Sequence, residues 1–140
     1  KELGLKLSDY RERKLIKKLM PKITAFEELT CWKEARILVT QIYSVTQKPP
    51  FSKDFGLRDQ IQRASVSVMT NISEGFSRYH RKESVRFFDF SQSSAAEVKS
   101  LLYVAEDLAY ISKEKAQVLR EQANSCQRLV LGLIKHFNKK

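Results

Sequence analysis

Glycine and proline are scarce here: four glycines and three prolines occur among 140 residues. Antiparallel sandwiches and barrels need such turn residues roughly every 8–12 positions, so an all-β architecture is excluded. Cysteine is almost absent. Cys31 and Cys126 stand far apart with no CxxC spacing and no histidine beside either. That excludes a thiolate metal knuckle and favours two buried thiols of a reducing compartment over a disulfide. No run approaches the roughly 18–20 uncharged apolar residues of a membrane span. The opening residues, where Lys1, Glu2, Lys6 and Asp9 interrupt short apolar pairs, do not compose a secretory signal. Negative charge is also in short supply: 26 Lys and Arg face 16 Asp and Glu, a net +10 at pH 7. What remains is a hydrophobic content of 42%, enough for one core. The expectation is a basic, cytoplasmic, all-helical domain.

The positive excess has two seats. Residues 1–23 hold eight basic and three acidic groups, and residues 24–140 hold eighteen and thirteen. A basic surface of this size favours polyanions, either nucleic acid or an anionic membrane face. In the first segment Leu15, Ile16, Leu19 and Met20 alternate with Arg11, Arg13, Lys14, Lys17 and Lys18. This predicts a short basic amphipathic helix over Ser8–Met20, capped by Ser8 and stopped by Pro21. The division expected is therefore an N-terminal extension over 1–23 and a bundle domain over 24–140.

Four longer helices follow from the apolar spacing. The first covers about 27–47, with Leu29, Trp32, Ala35, Val39, Ile42 and Val45 on one face. Pro49 and Pro50 forbid its continuation. The second covers about 57–76, with Leu57, Ile61, Ala64, Val68 and Ile72 inward. The third covers about 82–111, with Val85, Phe88, Ala95, Leu102, Ala105 and Ala109 inward. The last starts at the N-cap Ser112 and carries Ala116, Leu119, Ala123, Cys126, Val130, Leu133 and Phe137 at three- and four-residue steps. Short joints between such helices predict an up-down-up-down antiparallel four-helix bundle.

No catalytic signature is present. His80 and His136 fall on different elements without metal-spaced neighbours, and neither a phosphate loop nor HExxH occurs. No cofactor is expected. Two polar features stand out instead. Gln60, Arg63, Ser67, Asn71, Glu74 and Arg78 recur every three or four residues as a stripe on the second helix. On the third helix, Ser91, Ser93, Ser94, Ala95 and Ala96 form an unusually small cluster followed by Glu97. The stripe suits a close helix contact, a network of Arg63, Ser67, Asn71, Glu74, Ser94 and Glu97 that sets register or joins subunits. Arg63 or Arg78 would pair with Glu97 or Glu74. The other feature is the joint Phe76–Arg86 (FSRYHRKESVR), where Arg78, Arg81, Lys82 and Arg86 are interleaved with Phe76, Tyr79 and His80, with Glu83 as the single acid. Bases interleaved with rings suit a phosphate backbone with base stacking. Lys135, His136, Lys139 and Lys140 at the C-terminus could extend that surface if the two segments converge.

The run from Phe26 to Ile111 resembles a known family. Its marks are Phe26-Glu27-Glu28-Leu29, Trp32-Lys33-Glu34-Ala35, Ile42-Tyr43, Phe51, Phe55-Gly56-Leu57 and Gln60-Ile61-Gln62-Arg63-Ala64. The most specific is Ser67-Val68-Met69-Thr70-Asn71-Ile72-Ser73-Glu74-Gly75 followed by Arg78. These are similar to bacterial four-helix bundle proteins encoded in intervening sequences of 23S rRNA genes, whose pattern is close to S-[VI]-x-x-N-I-A-E-G-x-x-R; Ser73 replaces the usual Ala. The resemblance implies a closed bundle assembled as a ring-shaped homopentamer. It also implies kinship in fold with the accessory variability determinant proteins of diversity-generating retroelements, which bind nucleic acid and associate with a reverse transcriptase.

Together these features lead to a non-catalytic RNA- or DNA-binding accessory protein without membrane association, one that, as the resemblance implies, serves a reverse transcriptase. The expected phosphate contacts are Arg78, Arg81, Lys82 and Arg86, joined by Arg11, Arg13, Lys14, Lys17 and Lys18. The alternative is a scaffold that docks an acidic protein through apolar residues such as Phe51, Phe55 or Phe76. An enzyme is disfavoured because no clustered carboxylates or histidines are available to hold a metal or move a proton.

Overall fold

The computed structural model describes residue 11 and residues 23–139. The helix expected over Ser8–Met20, with Arg13, Lys14, Lys17 and Lys18, lies outside the described residues; Arg11 is described and exposed. A short 3-10 turn, Phe26–Glu28, leads into α1 (Thr30–Thr46). Then come a second 3-10 turn at Phe51–Lys53, α2 (Phe55–Phe76), α3 (Arg81–Asp107) and α4 (Lys113–Asn138). Among the described residues there is no strand. Each helix packs on the next, and α4 returns to α1, which closes a four-helix bundle.

Local chemistry explains the starts. Asp54 caps α2 by accepting from the Leu57 amide at 3.2 Å, and Ser112 caps α4 by accepting from the Lys115 amide at 3.1 Å. Both satisfy an amide that the first helical turn leaves without a partner. The inward face of α4 is the one its spacing predicts: Ala116, Leu119, Ala123, Cys126 and Val130 are all buried. On α1 the buried set is Cys31, Ala35, Leu38, Ile42, Val45 and Thr46, so Leu38 joins the core while Val39 is half-buried. Burial pushes the Cys31 thiol up to about 11 and, with Glu34 and Cys31 adding to it, the Cys126 thiol up to about 12. Both thiols therefore stay protonated at neutral pH and are poor nucleophiles.

Two details depart from the sequence reading. α3 ends at Asp107 rather than near Ile111, and Ala109 is exposed in the left-handed region (φ 58) instead of inward. The Tyr110 amide donates to the Ala105 carbonyl and the Ala109 amide to the Glu106 carbonyl, both at 2.9 Å. This is the paired closure that usually carries glycine at the left-handed position; alanine there gives no signal. Phe51, expected as a docking residue, is fully buried and packs at 5.3 Å from the Tyr110 ring. Burying such a ring contributes on the order of 1.5–3 kcal/mol, which favours plugging the bundle end over display. Phe76 also packs on the core, and exposed Phe55 lies under the Arg58 guanidinium at 4.8 Å. Of the three apolar anchors expected for the scaffold alternative, Phe55 alone is exposed.

Candidate nucleic-acid interface

The site rests on the seam between α2 and α3. Antiparallel alignment sets Ser67 against Ser94, whose hydroxyls meet at 2.8 Å, and Ser91 against Val68, whose carbonyl accepts from the Ser91 hydroxyl at 2.7 Å. Asn71 Nδ2 donates back to the Ser67 hydroxyl and carbonyl, both at 2.9 Å. One turn on, Gly75 lets the helices touch. A Cβ there would stand 2.6 Å from Phe88 Cε1 and 2.9 Å from the Ser84 carbonyl oxygen. Side chains of one or two heavy atoms are what such an approach tolerates. Of the predicted network, Ser67, Asn71 and Ser94 are thus brought together.

The charged members behave differently. Arg63, Glu74 and Glu97 are exposed, and among the described residues no ion pair joins Arg63 or Arg78 to Glu74 or Glu97. The expected pairing is corrected for two physical reasons. The seam register sets Arg78 past the end of α2, many turns from Glu97. Arg63 lies level with Glu97, but both are hydrated, where pairing yields only ~0–1 kcal/mol. Among the described residues, the ion pair that crosses helices is Arg120–Glu106 at 2.9 Å, with the guanidinium 3.9 Å from the Tyr103 ring centroid. A polar ladder from Lys99 to Gln127 (2.7 Å) and from Gln127 to Gln92 (3.1 Å) ties α4 to α3 nearby. Neither was legible from sequence, because these residues lie on faces that periodicity assigns to solvent.

Beyond Gly75, the joint at 77–80 and the first turns of α3 form a cationic face. Arg78, Arg81, Lys82 and Arg86 are all exposed. The last turn of α4 meets them: the Arg81 guanidinium donates to the Lys139 carbonyl and, at 3.5 Å, to the Phe137 carbonyl. Two segments 56 or more positions apart therefore converge, and a shallow groove between them is lined by Arg81, Lys82, Val85, Phe137, Asn138 and Lys139. Residues 76–90 and 135–139 carry six Lys and Arg against two acids, Glu83 and Asp89.

Rings, not carboxylates, hold the arginines. Arg78 lies 4.4 Å from the Phe87 centroid, Arg86 5.6 Å from Phe90 and Arg81 5.9 Å from Phe137. Phe87 and Phe90 meet edge-on at 6.1 Å, and Phe137 meets the buried Phe88 edge-on at 5.0 Å. Each contact contributes about 0.5–1 kcal/mol at an exposed site and leaves in-plane N–H groups free for an anion. Glu83 competes weakly, at 3.4 Å from Arg86. Phe87, Phe90 and Phe137 were missed as part of the site. Arg86 and Phe90 share an i,i+4 spacing that could have revealed one pair; the other two need the fold. Of the rings expected between the bases, Tyr79 and His80 are exposed and Phe76 is not.

Among the described residues, no three His, Cys, Asp or Glu side chains gather as a metal-holding group, and no helix is long and apolar enough to cross a membrane. The family described as 23S rRNA-intervening sequence protein matches residues 27–132. A similar solved structure is that of a protein with unknown function from the S23 ribosomal protein family of Bacteroides thetaiotaomicron VPI-5482. It has a TM-score of 0.70 at 19% identity, covering 76% of this chain and 99% of that one, a likeness of fold. No curated protein matches the chain.

Proposed function

The chain belongs to the 23S rRNA-intervening sequence protein family, and from that premise we propose that it is a non-catalytic accessory protein that binds RNA or DNA through the cationic face at the α2–α3 joint. The observation that supports this reading is the convergence of Arg78, Arg81, Lys82 and Arg86 with the end of α4, where six basic side chains stand against two acids. Guanidiniums resting on rings offer fixed N–H donors to phosphate oxygens. Such contacts carry little sequence choice and make affinity fall steeply with salt. Arg11, Arg13, Lys14, Lys17 and Lys18 supply a second set of cations to the same ligand.

In the cytoplasm the protein acts as a homopentameric ring that assists a reverse transcriptase during mutagenic copying. Five chains of +10 would carry about +50, a charge that repels itself unless a polyanion is bound. The test is binding of labelled structured RNA, duplex DNA and single strands across a salt series, with assembly mass recorded in the same samples. The expected result is tight binding at low salt with a steep negative salt slope. Absence of binding at low salt by an intact oligomer overturns the reading.

A further inference from the structure

Tyr79 is 94% exposed, more than any other large apolar side chain among the described residues. It stands at the tip of the joint at 77–80, between Arg78 on one side and Arg81 and Lys82 on the other. The neighbouring ring, His80, meets it edge-on at 5.0 Å and 87° and leaves the phenol uncovered. Elsewhere in this face the rings are occupied: Phe87, Phe90 and Phe137 each lie beneath an arginine. Tyr79, unlike those three, carries no guanidinium, and cations flank it in sequence on both sides.

A duplex presents phosphates to such a protrusion while its bases stay stacked on each other. An unpaired strand presents phosphates and, between them, bases with open π-faces, and base–aromatic stacking is indifferent to which base is offered. We propose that Tyr79 is a stacking platform for an unpaired nucleobase, so that the face takes single strands and the loops of folded RNA ahead of duplex. This deepens the nucleic-acid reading above and rests on it.

The test compares the affinity of the full-length protein for oligo(U), oligo(dT) and a mixed-sequence duplex, each of about 20 nucleotides, enough to span one such site. Tyr79→Ala is expected to weaken binding to both single strands about tenfold, the scale of one lost stack. Its duplex affinity, salt slope and melting temperature should match wild type, and Tyr79→Trp should bind single strands as wild type does. Tyr79→Ala weakening duplex and single strands alike, or weakening neither, overturns the stacking role while the nucleic-acid reading stands. Wild-type protein that binds none of the three probes overturns that reading and this one with it.

Discussion

In the seam between α2 and α3, Ser67, Asn71, Ser91 and Ser94 are bonded to one another or to a carbonyl. One turn beyond it, in the joint and the start of α3, the guanidiniums rest on rings and present donors to solvent. The same two helices thus change purpose within a few residues. The stretch Ser67–Gly75, the most recognisable in the chain, is built for close packing. The flanking bases, where the proposed function lies, are carried by a far less distinctive pattern. Resemblance concentrated in a motif therefore identifies the scaffold first; function here has to be argued from the surface the scaffold presents.

That contrast can be broken at several points. The largest effect is expected at Gly75. Gly75→Ala forces a methyl against Phe88 and the Ser84 carbonyl, a clash of about 1–3 kcal/mol that outweighs alanine's better helix propensity. Gly132 on α4 is its control, with nothing within 4 Å of a Cβ. Gly132→Ala should stabilise by about 0.8–1 kcal/mol, so thermal melts of the two variants should shift in opposite directions. At the opposite end of the bundle, Ala109→Gly relieves a left-handed alanine and should stabilise by about 0.5–1 kcal/mol with nucleic-acid affinity unchanged.

The smallest shift is expected from Asn71→Ala. It removes a hydrogen-bond donor worth about 1 kcal/mol and regains roughly half through helix propensity. A slightly lowered melt with normal binding sharpens the contrast. A normal melt with lost binding would move Asn71 from the seam to the functional surface.

How much of this was legible follows from which signals are local. Periodicity placed the four helices and nearly all of the α4 core, because Ala116 to Val130 repeat on one face without interruption. The small-residue pairing of Ser67 with Ser94 was legible as a stripe opposite a cluster. The end of α3 was not, since Ala109 adopts a glycine-type conformation without being glycine. Phe51 was misplaced because a ring beside two prolines reads as a loop residue, although it seals the core. In the site, the bases were legible as a run in sequence. Their supports were not: Phe137 reaches Arg81 only through the closure of α4 onto α3, a contact no local pattern encodes.

The most direct test of the central claim is the salt dependence of single-stranded RNA binding by wild type and by the triple variant Arg78→Glu, Lys82→Glu, Arg86→Glu, measured side by side. These three side chains are exposed, so the variant should stay folded, its melt lowered only by the loss of two arginine–ring contacts, about 1–2 kcal/mol. Three lost phosphate contacts predict a log–log salt slope shallower by about 2, with affinity at low salt reduced on the order of 100-fold or more. Equal slopes and equal affinities, in a folded variant, would contradict the assignment of this face to nucleic acid.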